Sequence, residues 1–227
     1  MKGNLHPITQ YLRKAIHIFE ELGFDVFEGP EVDNEWYNFD SVNVPADHPS
    51  RDMQDTFWLK DGRLLRTHTS ASQVRYGEKN KPPIKVVVPG QVFRNEATDA
   101  KHETTIFQMD AVYIDKNVKV GQLFWTLEYF FKKMYGKETK IRFRPSFFPF
   151  VEPGFEVDTF RNGEWFELLG AGMVHPNVIK NMGIDPEKYS GFAFGLGIDR
   201  LTMLRYGIDD IRHLRSGDLR FLKQFQG

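Results

Sequence analysis

The chain has 227 residues, of which 41% are hydrophobic, 15% aromatic and 27% charged, and 30 basic against 31 acidic side chains leave a formal net charge of −1. Such a composition belongs to a globular chain and excludes a disordered one, while the lack of any apolar run approaching ~18–20 residues excludes a bilayer-spanning helix. The absence of cysteine excludes disulfides, thiolate metal sites and a cysteine nucleophile, and the near-zero charge provides no global field for a polyanion, so an RNA partner would need a local patch or another chain.

The N-terminus, Met1 to Leu5, lacks the apolar stretch of a signal peptide, so a cytoplasmic address is expected. Pro7 can start a helix in which Ile8, Leu12, Ala15, Ile16, Phe19 and Leu22 recur at helical spacing, with Gly23 to end it. Phe24 to Phe27 reads as a strand stopped by Gly29-Pro30, and 33–49 as an irregular connection with a short helical piece around Trp36. Thr56 to Leu59 and Arg63 to Thr67 flank Lys60-Asp61-Gly62 as a hairpin. Ile84 to Val88, Gln91 to Asn95 and Thr105 to Ile114 are the next extended runs, followed by an amphipathic helix carrying Val120, Leu123, Phe124, Leu127, Phe131 and Met134. Strands return at Lys140 to Arg144, Phe155 to Phe160 and Glu164 to Leu169, and a last helix begins after Gly195-Leu196-Gly197.

Strand clusters interrupted by a few helices, without βαβα alternation, predict an α+β fold on a mostly antiparallel sheet flanked by helices, in one domain over 1–227. Gly195-Leu196-Gly197 lacks the third glycine and the preceding strand of a dinucleotide fingerprint.

Four constellations can carry chemistry. Arg94 and Glu96, before a polar stretch with Lys101 and His102, share one strand face, as do Ile106, Gln108 and Asp110 in the following strand. On spacing alone this is either a ligand floor, with Arg94 for a phosphate and Asp110 with Gln108 for an ammonium, or a solvated outer face. In Phe148-Pro149-Phe150 two rings at i and i+2 fall on one side of an extended segment and either wall a flat pocket or pack in the core. Glu152 and Glu167 near them either share a divalent ion or stand exposed. Gly195 to Gly197 followed by Arg200 suits a phosphate at a helix start, or tight strand-to-helix packing. In Thr67-His68-Thr69-Ser70 the hydroxyls read as helix N-caps, and no nucleophile elbow or metal-binding histidine pair is present.

Taken together these segments resemble the signature motifs of class II aminoacyl-tRNA synthetases, and more specifically the α subunit of phenylalanyl-tRNA synthetase, over nearly the whole chain. Motif 1 corresponds to about 6–30, motif 2, with Phe93-Arg94-Asn95-Glu96, to about 91–114, and motif 3, with Gly195 to Arg200, to about 191–206. Leu65-Arg66-Thr67-His68-Thr69-Ser70, Phe148 to Phe150 with Glu152-Pro153, and Gly170-Ala171-Gly172-Met173-Val174-His175-Pro176-Asn177 are the more specific runs.

The resemblance implies the class II synthetase fold and a two-step reaction: phenylalanine attacks the α-phosphate of ATP, and the aminoacyl group then passes to tRNA(Phe). It implies that Arg94 and Arg200 are the catalytic pair and grip the ATP phosphates, with Glu96, His102 and Ile106 completing the ATP site. His68, Ser70, Gln108 and Asp110 would orient the polar end of phenylalanine, Phe148, Phe150, Ala193 and Gly195 would shape its ring pocket, and Glu152 or Glu167 would hold Mg²⁺.

Two positions depart from the family pattern. Ile106 stands where an aromatic usually stacks on adenine, and Asp110 where a glutamate often meets the ammonium. Met1 lies only a few residues ahead of motif 1, so no coiled-coil arm is expected. Activation is accordingly the firmer expectation and tRNA(Phe) charging the partner-dependent one, with a β subunit as partner or a homodimer through motif 1. A paralogue passing the activated amino acid to another acceptor, and a non-catalytic binding module, are the alternatives.

Overall fold

A computed structural model describes residues 4–51, 56–161 and 163–225. Helix α1 (Pro7–Glu21) begins where the His6 imidazole Nδ1 accepts from the Ile8 amide, and ends at Gly23, whose φ of +78° suits glycine. There follow β1 (Asp25–Val26), β2 (Val32–Asp33), α2 (Glu35–Asn38), which contains Trp36, β3 (Leu64–Leu65) and α3 (Ser70–Lys79). Next come β4 (Ile84–Phe93), β5 (Thr105–Asp115) and α4 (Val120–Tyr135). The rest is β6 (Lys140–Phe148), β7 (Val151–Arg161), β8 (Glu164–Val174), α5 (Pro176–Asn181), β9 (Ser190–Gly197), α6 (Ile198–Tyr206) and α7 (Leu219–Leu222).

Seven strands form one sheet in the order β1-β4-β5-β9-β8-β7-β6, antiparallel except for the β1–β4 pair. This is the expected α+β arrangement, with three local differences. The two runs before residue 96 are one strand, β4, because Pro89 and Gly90 keep their ladder places opposite Met109 and Gln108. The expected hairpin forms, with Leu59 donating to the Arg63 carbonyl, Trp58 bridging Leu64 and Leu65 donating to the Phe57 carbonyl, and Leu64 and Leu65 pair in addition with Asp33 and Val32. Gly195 to Gly197 does end a strand, β9, which its glycines concealed from a propensity reading; pairing with β5 on one side and β8 on the other compensates.

The two faces of the sheet are covered unequally. On one, α1, α4 and α6 pack a core rich in phenylalanine: the rings of Phe19 and Phe130 stack at 4.8 Å and Phe194 lies 5.5 Å from Phe19. On the other, α3, α5 and 39–44 cover only part of the sheet, over Val86, Val88, Val112 and Ile114. The uncovered remainder is a cavity.

Candidate active site

The cavity measures about 960 Å³, and its walls bring together residues from six separate stretches of chain. His68, Ser70, Arg94, Glu96, His102, Ile106, Gln108, Asp110, Phe148, Phe150, Ala193, Gly195 and Arg200 all line it. Burial against the sheet thus gathers side chains that the sequence spreads over more than half the chain.

Asp110 forms its floor. Only 1% exposed, it accepts from Ser70 Oγ at 2.5 Å and from Gln108 Nε2 at 2.6 Å, and its amide donates to Thr69 Oγ1. The expected helix-capping role of these hydroxyls is therefore corrected: α3 starts without a side-chain cap, because Thr69 and Ser70 are turned to Asp110. Asp110 makes no ion pair among the described residues, so a buried carboxylate is held by neutral donors alone. Gly195 on β9 faces it, and a Cβ there would lie 2.7 Å from Asp110 Oδ1.

Next to it, His68 Nε2 lies 2.8 Å from the Asn38 carbonyl, which can only accept, so the proton sits on Nε2. Nδ1 is buried without a hydrogen-bond partner, and burial holds the imidazole below its usual pKa. The result is a neutral ring with a bare acceptor.

The ring wall forms differently from the expected extended alternation. Phe148 ends β6 and Phe150 lies across the turn before β7, with the two rings stacked at 5.9 Å. In both ladders of β7 the two residues Glu152 and Pro153 stand against one on the neighbouring strand, Phe147 on β6 and Met173 on β8, a bulge beside the turn. Asn43, in the left-handed conformation at φ 63°, donates to the Pro149 carbonyl and so fixes the turn. Sequence reasoning assigned Asn43 no role; its isolation between hydrophobic residues was the only signal.

Elsewhere the cavity is lined by charges of both signs, Arg94, Lys101 and Arg200 with Glu96 and Glu103. Strand β4 stops at Phe93, so Arg94 and Glu96 lie in the following loop rather than on the expected strand face. The Arg94 guanidinium is 4.0 Å from Glu96 and 42% exposed. His102 Nδ1 lies 2.9 Å from Asp99, and Ile211 donates to the Ala100 carbonyl, tying this loop to the C-terminal region. Arg200, in the first turn of α6, is exposed and unpaired among the described residues, whereas its neighbour Asp199 is buried against Arg215 at 2.6 Å and accepts from the Phe107 amide.

The expectation that Glu152 and Glu167 share one metal ion needs correction. Neither Glu152 nor Glu167 lines the cavity; Glu152 is 78% exposed with His175 3.7 Å away, and Glu167 is exposed opposite Asp158. Six residues of β7 separate their levels, roughly 20 Å, so they cannot share one ion. No group of three His, Asp or Glu able to hold a metal occurs among the described residues. Nor is any described helix long and apolar enough to cross a membrane.

Residues 1–225 match the family described as tRNA synthetases class II core domain (F). Proteins named phenylalanine–tRNA ligase alpha subunit from Leptospira biflexa serovar Patoc and from Synechocystis sp. are each 50% identical, over 99% of this chain and 69% and 68% of their own lengths. One from Pectobacterium atrosepticum is 50% identical over 99% of the chain and 68% of its own. The solved structure of pyrrolysyl-tRNA synthetase from Desulfitobacterium hafniense superposes with a TM-score of 0.72 at 17% identity, covering 93% of this chain and 74% of that one, a likeness of fold.

Proposed function

The chain belongs to the class II tRNA synthetase family, within its phenylalanine–tRNA ligase alpha-subunit branch, and from that premise we propose that it activates L-phenylalanine with ATP and passes the product to tRNA(Phe). One observation carries the substrate assignment: the buried carboxylate of Asp110, without an ion-pair partner among the described residues, and the bare Nδ1 of His68 lie in the same cavity as the stacked rings of Phe148 and Phe150. An α-ammonium answers the first pair and a flat side chain the second.

In this reading a carboxylate oxygen of phenylalanine attacks the α-phosphorus of ATP, the bond to the bridging oxygen breaks, and pyrophosphate leaves with the electron pair. Arg94 and Arg200 take up phosphate charge, and Glu96, His102 and Ile106 flank the nucleotide. No protein nucleophile is required, since holding two reactants in line and countering developing charge supplies the rate. Mg²⁺ would come with the ATP phosphates and neutralise charge there, and none of these roles depends on Glu152 or Glu167. In the second step a ribose hydroxyl of tRNA attacks the carbonyl carbon, its proton is lost, and AMP departs.

On this reading residues 1–227 act as one cytoplasmic catalytic domain, and a β subunit, or a second copy docked through α1 and β1, supplies what tRNA binding needs beyond the cavity. The test is phenylalanine-dependent exchange of pyrophosphate into ATP, followed by charging of tRNA(Phe). Exchange specific to phenylalanine is expected; folded protein without exchange would defeat the reading.

A further inference from the structure

Strand β5 extends past the end of its neighbour β9. The last pair between them is Gln108 with Gly197, where the chain turns into α6, so residues 105–107 pair with β4 on one side and meet no strand on the other. Backbone groups on that open side need partners. Two side chains supply them. The carboxylate of Asp199, in the first turn of α6, accepts from the Phe107 amide, and the Arg215 guanidinium donates to the Thr105 carbonyl at 3.1 Å. Arg215 also donates to Asp199 at 2.6 Å and lies 5.5 Å from the centroid of the Phe107 ring.

The peptide groups on both sides of Ile106 are therefore fastened to one ion pair. Ile106 lines the cavity, and so does Arg200, which follows Asp199 directly on α6; Arg215 itself stands outside the lining. Asp199 is 2% exposed, and a buried carboxylate depends strongly on its cation. The turn Ile211–Leu214 just before Arg215 is anchored as well, with Ile211 donating to the Ala100 carbonyl. The phenylalanine half of the cavity is held by different contacts, Asp110 by Ser70 and Gln108, and Pro149 by Asn43.

We infer that Arg215, by closing the open side of β5 together with Asp199, is a positioning residue for the nucleotide half of the site, keeping Ile106 and Arg200 in fixed relation. This rests on the proposal that Ile106 and Arg200 face ATP. Arg215 touches no substrate and leaves the phenylalanine half as it is.

The measurement is pyrophosphate exchange with ATP and phenylalanine varied separately. Arg215→Gln, which keeps a donor but removes the charge, is expected to raise the KM for ATP on the order of tenfold while the KM for phenylalanine holds. Arg215→Lys should return the KM for ATP to within about threefold of wild type, because an ammonium can still meet Asp199. Asp199→Asn still accepts from the Phe107 amide but breaks the same pair from the other side, and should give the same ATP-selective rise whether or not Arg215→Gln folds. The double variant should be no worse than the stronger single one, since both remove one interaction. An unchanged KM for ATP in either pair-breaking variant, a rise shared equally by phenylalanine, a fall in kcat alone, or a double variant whose effect is the product of the singles each overturns the inference. Wild type without exchange defeats the activation reading and this inference with it, whereas wild type that exchanges beside variants of unchanged KM defeats this inference alone.

Discussion

Asn177 donates its side-chain nitrogen to Asn43 Oδ1 at 2.8 Å across 134 residues of sequence, and Asn43 in turn donates to the Pro149 carbonyl. The turn that stacks Phe148 on Phe150 is therefore held from outside the cavity by α5. Asn181 adds to the fastening through the Asp40 and Ser41 carbonyls, and the His175 imidazole accepts from the Asn177 amide.

Replacing Asn177 with Ala is expected to loosen this turn without touching substrate. The loss of this exposed hydrogen bond, about 0.5 kcal/mol, corresponds to roughly a twofold rise in KM for phenylalanine. The KM for ATP should hold in exchange assays, and a uniform fall in kcat for both substrates would count against a positioning role.

Asp110→Asn keeps the shape and the neighbours of the floor residue but removes its charge. With the bonds from Ser70 and Gln108 at 2.5 and 2.6 Å, the protein should still fold, by circular dichroism. Exchange should fall by about 100-fold in kcat/KM, near 3 kcal/mol, because the ammonium then meets no anion. Retained exchange would place the ammonium elsewhere.

Ala193 on β9 sits between Val112 of β5 and Gly172 of β8 and lines the cavity. Ala193→Gly should enlarge the ring pocket and raise activation of para-substituted phenylalanines relative to phenylalanine by roughly tenfold. Unchanged selectivity in competition assays would remove Ala193 from the ring pocket.

His68 predicts a pH dependence of stability. Burial lowers its folded-state pKa, and that of His6 likewise, while in the unfolded chain an imidazole titrates near about 6.5. Above that value both states are neutral and the folded state keeps its full stability. As pH falls below it, the unfolded chain gains a proton that the folded chain resists, so stability is lost until the pH passes the folded value. Urea unfolding at about pH 7.5 and 5.5 should show this decline, with a smaller decline in His68→Gln; equal slopes would assign it to other groups.

Arg66 is 3% exposed and donates to the carbonyls of Gln91, Gly29 and Pro30, pinning β4 to the connection between β1 and β2. Burial lowers its pKa, yet an arginine stays charged at neutral pH. Arg66→Met strands these acceptors and should cost about 3 kcal/mol, or roughly 6–12 °C in Tm by calorimetry.

The sequence by itself determined the parts whose cause is local. Helical spacing from Ile8 to Leu22 and from Val120 to Met134 identified α1 and α4, since amphipathic periodicity lies within a few residues of chain. The family resemblance, rather than spacing, named Arg94, Asp110, Phe148 and Arg200 as members of one site. Only the tertiary structure decided how these act, because strand register and bulges depend on partners far away in sequence. Neighbours in space turned Thr69 and Ser70 toward Asp110, made a strand of the glycine-rich Ser190–Gly197, and set Glu152 apart from Glu167 along β7. Most of all, the placing of the Phe148–Phe150 wall rests on Asn43 and Asn177, whose contact across 134 residues no local pattern encodes.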